Sequence, residues 1–130
     1  MGGYTKKIIR EGELRKRKDN KKIKEKIFRN RGDTVVIHYV VRNKESETII
    51  DSSRQKSMPY TFEAGCAQII RAIDEAVMKM SLGERAILDI SSRYGWGKKG
   101  VSKIIRPNAD LRADVEILAI NGIKAKMRWK

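Results

Sequence analysis

The chain has 130 residues, 40% of them hydrophobic, which suits one ordinary domain with its own core; its single cysteine, Cys66, and single histidine, His38, exclude an internal disulfide, a cysteine-rich metal site and two-histidine chemistry. The net charge of +14 is unevenly spread: residues 34–120 hold 13 Lys/Arg against 11 Asp/Glu, while residues 1–33 contribute +8 and residues 121–130 add +4, so a nearly neutral body carries basic extensions. No apolar run approaches the ~20 residues of a membrane span, the N-terminal Met1-Gly2-Gly3-Tyr4 lacks the apolar stretch of a secretory signal, and Lys6 stands where a myristoylation pattern wants Ser or Thr.

In chain order, Tyr4–Arg10 reads as a short strand closed by Glu11-Gly12, making residues 1–13 an N-terminal strand unit. Residues 14–33 follow as a basic insertion. Ten cations between Arg15 and Arg31 face only Asp19 and Glu25, and a block that repels itself is expected to be a solvated loop with at most a turn or two of helix around Ile23 and Ile27. Residues 34–120 form the body. Residues 34–41 are a strong strand, with Val35, Ile37, Tyr39 and Val41 on one face. Residues 48–50 return from a turn at 43–46, and Asp51-Ser52-Ser53-Arg54 leaves in a polar loop. Residues 59–63 are another strand, with Tyr60 and Phe62 on one side.

Residues 68–80 are the one clear helix. Ile69, Ile70, Ile73, Ala76, Val77 and Met80 share an apolar face, Arg71, Asp74, Glu75 and Lys79 lie opposite, and Gly83 ends the run. Residues 84–91 alternate with Ala86, Leu88 and Ile90 inward. Residues 94–108 are a long loop punctuated by Gly95, Gly97, Gly100 and Pro107, and long loops often carry function. Residues 111–120 alternate again, with Leu111, Ala113, Val115, Ile117 and Ala119 on one face. Residues 121–130 are a basic tail in which Met127 and Trp129 suit the start of a linker or helix. The pattern is α+β: several antiparallel strands and one short amphipathic helix, whose apolar stripe is best buried against one twisted sheet.

Seven segments then become recognisable together: Val36-Ile37-His38-Tyr39; Ile50-Asp51-Ser52-Ser53-Arg54; Pro59-Tyr60-Thr61-Phe62-Glu63-Ala64-Gly65; Ile69-Ile70-Arg71; Met80-Ser81-Leu82-Gly83-Glu84-Arg85-Ala86; Tyr94-Gly95-Trp96-Gly97; and Ile104-Ile105-Arg106-Pro107-Asn108-Ala109. In order and spacing they resemble the FKBP-type peptidyl-prolyl cis-trans isomerases, over about residues 5–120. The resemblance implies an FKBP-like twisted antiparallel β-sheet wrapped around one short amphipathic helix, with a ligand pocket between them. It implies an isomerase, or rotamase, that acts on X-Pro bonds of client proteins in protein folding, in a chaperone-type role. Carried over by position, the catalytic set is Tyr39, Asp51, Phe62, Ile70 and Trp96, with Ile50, Tyr60, Ile69, Ile73, Ile105 and Ala113 binding substrate. Tyr39 and Asp51 would form a polar wall, Ile70 would offer its backbone N–H, and Trp96, commonly Tyr, would close the pocket.

X-Pro rotation breaks no covalent bond but crosses a barrier of about 20 kcal/mol set by amide resonance. A catalyst needs only to bind the twisted amide better than either planar form, so no cofactor and no metal are expected. The sequence departs from the family pattern in the pocket. Ile73 replaces the usual Trp floor, Ala113 and Ile50 replace aromatics, and Lys56 stands for an Arg that pairs with the Asp. Each truncation would remove about 1–2 kcal/mol of ligand contact. Two of them would lower catalysis about one to two orders of magnitude, and macrolides that rest a ring on an aromatic floor would bind weakly.

The alternative is a non-catalytic binding or scaffold domain on the same fold. A second expectation attaches to the basic segment: Arg15, Lys16, Arg17, Lys18, Lys21 and Lys22 are candidates to bind nucleic acid or another polyanion, through phosphates and with little sequence selectivity. The bland reading is a solvated surface, and a nuclear-import signal is a third. A monomer with no membrane association, in cytoplasm or nucleus, completes the expectation.

Overall fold

The structure, a computed structural model, describes residues 3–91 and 109–126. The expected loop bearing Trp96, Ile105, Lys98 and Lys99 and the Met127–Trp129 end of the tail lie outside the described residues. In chain order the elements are β1 (Tyr4–Arg10), β2 (Leu14–Lys16), β3 (Lys24–Lys26), β4 (Thr34–Asn43), β5 (Ile49–Ser52), β6 (Tyr60–Glu63), α1 (Arg71–Val77), β7 (Arg85–Ile90), β8 (Leu111–Ile120) and β9 (Ile123–Lys124).

One antiparallel sheet runs in the order β1-β7-β8-β4-β5, with β6 added to β4 and β9 to β8. The alternation of β4 is realised: Val35, Ile37, Tyr39 and Val41 are buried, and so are Ala86, Leu88 and Ile90 of β7. Helix α1 packs its Ala72, Ile73, Ala76 and Val77 face against β7 and β8, and these side chains join the sheet residues in one core. Full burial of a residue such as Ile73 contributes about 2 kcal/mol.

The period of two breaks late in β8. Val35 pairs with Ile120 but Ile37 pairs with Ile117, so one extra residue is accommodated at Leu118. This β-bulge turns Ile120, rather than Ala119, into the core. Beyond it, Asn121 (φ 48°) and Gly122 (φ 82°) make the two-residue turn into β9, the left-handed pair that an Asn-Gly hairpin favours. The start of the expected basic tail is therefore a strand.

The edge of β4 serves two short strands in succession. Its N-terminal half pairs with β6, from Thr34 with Glu63 to Ile37 with Tyr60, and its C-terminal half with β5, from Val40 with Ser52. Where the two partners part, buried Ser53 replaces the ladder: its N–H donates to the Tyr39 carbonyl (3.0 Å) and its Oγ accepts the Tyr39 N–H (2.7 Å). His38 Nδ1 lies 2.8 Å from the same Oγ, and burial together with the nearby Arg54 lowers its pKa, in keeping with a structural histidine.

Two expectations need correction. The helix is shorter than residues 68–80, and Asp74 does not face solvent. Its buried carboxylate accepts the N–H groups of Gly65 (2.8 Å) and Ala67 (3.0 Å), which holds the 65–67 turn folded over the helix start. The basic insertion is not a plain loop either, because β2 and β3 form a separate two-stranded ribbon.

Candidate functional site

The parting of β5 from β6 leaves the Tyr39 side chain at the sheet edge with aromatic neighbours. On β6, Tyr60 and Phe62 lie two residues apart on one face and stack, with centroids 5.6 Å apart and planes at 27°. Tyr39 meets Tyr60 edge-on at 6.1 Å and 89°. Such offset and T-shaped pairs satisfy the ring quadrupoles and hold each ring in one orientation. The Tyr39 hydroxyl donates to Asp51 Oδ2 at 2.8 Å, and Lys56 Nζ lies 3.0 Å from Asp51 Oδ1. Burial first, then the hydrogen bond to Asp51, push the Tyr39 phenol well above its ordinary range, so it remains a donor at neutral pH.

The loop before α1 is tied to this wall. The Tyr60 hydroxyl donates to the Gln68 carbonyl (2.9 Å), the Glu63 N–H donates to Gln68 Oε1 (2.8 Å), and Gln68 Nε2 donates to Glu63 Oε1 (3.1 Å). These bonds fix Ile69 and Ile70, the residues that lead into the helix. Ile70 is the N-cap residue, with no side-chain cap, and the first N–H groups of any helix lack intrahelical acceptors. An apolar helix start therefore adjoins the aromatic wall.

The structure brings Tyr39, Asp51, Tyr60 and Phe62 into one connected cluster. Tyr39, Phe62 and Ile70 are buried, whereas Ile50, Asp51, Tyr60 and Ile69 are half-buried. Ile73 and Ala113 are fully enclosed in the core, so they present no surface to a ligand and act as support from beneath. Trp96 and Ile105 lie outside the described residues. Sequence reading missed Gln68, Ser53 and Asp74. Each works through backbone bonds to residues near it in space, and no periodicity signals that. Among the described residues no group of His, Cys, Asp and Glu is arranged to hold a metal.

At the other end of α1 the fold is held differently. The buried Arg29 guanidinium donates through Nη1 to the carbonyls of Val77 and Met80, supplying one cation to a helix end that has none of its own. Burial lowers the Arg29 pKa only from a value far above neutral, so it stays charged. Leu82 N–H donates to the Ile27 carbonyl (2.8 Å) and Glu13 N–H to the Leu82 carbonyl (3.0 Å). Of the basic candidates, Arg15 pairs with Glu13 (2.6 Å) and Arg17 with Asp19 (2.5 Å), whereas Lys16, Lys18, Lys21 and Lys22 are exposed with no ion pair among the described residues.

Comparisons with known proteins give the family and the fold. The family model for FKBP-type peptidyl-prolyl cis-trans isomerase matches residues 25–118. The chain belongs to that family. It is 46% identical over 96 residues to FK506-binding protein 1 of Yarrowia lipolytica, covering 74% of this chain and 88% of that protein. It is 43% identical over 98 residues to a peptidyl-prolyl cis-trans isomerase of Schizosaccharomyces pombe, covering 75% of this chain and 87% of that protein. It is 42% identical over 93 residues to peptidyl-prolyl cis-trans isomerase FKBP1A of Xenopus laevis, covering 72% and 85%. Among solved structures, the N-terminal domain of FKBP42 from Arabidopsis thaliana superposes with a TM-score of 0.71 at 23% identity, covering 91% of this chain and 86% of that one. A multi-domain immunophilin from the same plant gives the same score and identity over 42% of its length. At that identity the likeness establishes the fold, which is the FKBP fold.

Proposed function

We propose that the chain is a peptidyl-prolyl cis-trans isomerase that binds X-Pro segments of client proteins against the Tyr39/Tyr60/Phe62 wall. The observation that carries this reading is the hydrogen-bonded Tyr39–Asp51 pair set beside that wall, in a chain of this family. The aromatic faces suit a pyrrolidine ring, the N–H of Ile70 at the uncapped helix start would hold a flanking carbonyl, and the apolar surroundings favour the twisted amide, whose charge separation is reduced. None of the work asks for a nucleophile or cofactor. Ile73 is enclosed beneath the wall, where the larger Trp usual in the family would reach up to form the pocket floor, so that aromatic contact with a ligand is missing here. The rate is therefore expected about one to two orders of magnitude below that of a relative with the full aromatic set.

The test is a proline-isomerisation assay on short X-Pro peptides with the relative as reference. Acceleration over the uncatalysed rate at micromolar protein is expected, and none would leave the alternative, a non-catalytic FKBP-like domain. FK506 and rapamycin are expected to bind weakly, and nanomolar affinity by calorimetry would show that the aliphatic Ile73 does not impair the pocket. Among the described residues no helix is long and apolar enough to cross a membrane. The exposed free thiol of Cys66 suits a reducing compartment, cytoplasm or nucleus.

A further inference from the structure

The β2–β3 ribbon sorts its charge by face. The register pairs Leu14 with Lys26, Arg15 with Glu25 and Lys16 with Lys24. Side chains alternate along each strand, so Arg15 and Glu25 share one face, and the arginines of this region are neutralised there: Arg15 by Glu13, Arg17 by Asp19 and Glu25. The other face sets Lys16 directly opposite Lys24, and neither has an ion pair among the described residues. Like charges in that position repel, and nothing in the fold offsets it. Lys18, Lys21 and Lys22 continue the charge around the connecting turn, exposed and equally without carboxylate partners among the described residues. Five ammonium groups thus crowd one face and tip.

The ribbon pairs with no other strand; its base touches β9 through the Arg15 guanidinium on the Lys124 carbonyl, and residues 18–24 around its tip are exposed. Its base is clamped. Gly12 packs so closely that a Cβ would lie 1.8 Å from Ser81 Oγ, and Arg29 anchors the far side on Val77 and Met80. The tip is therefore a basic two-stranded arm on a firm footing, at the end of α1 away from the Tyr39 site.

We propose that this arm is a docking surface for duplex DNA, seated in the major groove with Lys16, Lys18, Lys21, Lys22 and Lys24 on the flanking phosphates. A two-stranded ribbon fits the major groove of B-form DNA, about 12 Å wide, whereas the A-form groove of RNA is too narrow and deep. Lysine is a point charge suited to phosphate, and the arginines that would read guanine are held in ion pairs, so binding is indifferent to sequence. An anionic membrane is less well matched. Exposed Leu14 and Ile23 fall on opposite faces of the ribbon, so no apolar wedge forms to enter a bilayer.

The test is fluorescence anisotropy of a labelled 20-base-pair DNA duplex titrated with the full chain at 50 and 200 mM salt. Five phosphate contacts give a slope of about −4.5 in log K against log salt, a loss of about 500-fold over that range. Changing all five lysines to Ser should abolish binding, changing all five to Arg should preserve it, and Lys24→Ser alone should lower the slope by about 0.9. Retention of the isomerase rate in the Ser variant would show that it still folds. The proposal is overturned if the Ser variant binds as the wild type does, if neither binds at 50 mM salt, or if an RNA duplex binds equally. Capture by phosphatidylserine vesicles without DNA binding would overturn it in favour of a membrane.

Discussion

The two ends of helix α1 carry the two proposed binding surfaces, and they are built on opposite principles. At the N-terminal end, Tyr39, Tyr60 and Phe62 hold one another by ring packing, and the tyrosine hydroxyls are matched over a short distance, Tyr39 to Asp51 and Tyr60 to Gln68. At the C-terminal end, the footing of the ribbon is backbone hydrogen bonds and one buried guanidinium, while its tip carries unmatched charge. A surface that binds by shape has its side chains held in place before the ligand arrives. One that binds by charge leaves its parts unsatisfied, and the cost is borne by the clamp beneath.

The hardest blow to this arrangement is aimed at the clamp. In Gly12→Ala the new Cβ would sit 1.8 Å from Ser81 Oγ and 3.0 Å from the Leu82 carbonyl, and Ser81 is fully buried. Neither neighbour can withdraw cheaply, so a destabilisation of about 2–3 kcal/mol is expected by thermal or denaturant unfolding. A loss below about 0.5 kcal/mol would mean that the ribbon base is loosely held. Arg29→Met comes next. It keeps much of the apolar stem but takes the guanidinium donor from both carbonyls, leaving that of Val77 only the Met80 N–H (3.1 Å), at an expected cost of about 1–2 kcal/mol. Because the five lysines stay, the salt slope of DNA binding should persist while the affinity weakens. A slope that collapses in Arg29→Met would show that the arm needs its posture as well as its charge.

The difference between the two ends also decides what could be read from the sequence. Strands Tyr4–Arg10 and Leu111–Ile120 have the bounds that alternation suggests, and Val35, Ile37, Tyr39 and Val41 are buried as their spacing implies. There each residue's fate follows from its own polarity and its neighbours two positions away. The Tyr39, Tyr60 and Phe62 cluster was legible for the same reason, helped by the family pattern. The bulge at Leu118 was not, since an extra residue shows only against the partner strand. Asp74 looked like a solvent-facing helix residue, because the N–H groups of Gly65 and Ala67 that draw it inward belong to a turn with no signature of its own. The ribbon was hidden by its charge. Ten cations in residues 15–31 argue for a solvated loop, and the bonds that anchor the ribbon to the body run to Val77, Met80 and Leu82, about fifty residues away or more.

Tyr39→Phe is the gentlest test, and it bears on the site end alone. The ring and its edge contact with Tyr60 remain, and only the donor to Asp51 is lost, while Lys56 still neutralises that carboxylate. Stability should fall by no more than about 1 kcal/mol at neutral pH. The isomerase rate should drop about two- to tenfold if the hydroxyl helps to hold a substrate carbonyl or orients Asp51 against it. The pH dependence separates these roles from plain packing. The Tyr39 phenol is raised above its unfolded value of about 10 by burial and by Asp51, so its contribution is complete below about pH 10. As pH climbs beyond that, the unfolded chain gives up the proton while the folded one keeps it, and stability drains away toward the folded pKa. Tyr39→Phe removes that alkaline loss, so the variant and the wild type should converge in stability above about pH 10. Parallel stability curves up to alkaline unfolding would mean that the phenol is less enclosed than its contacts with Asp51 and Tyr60 imply.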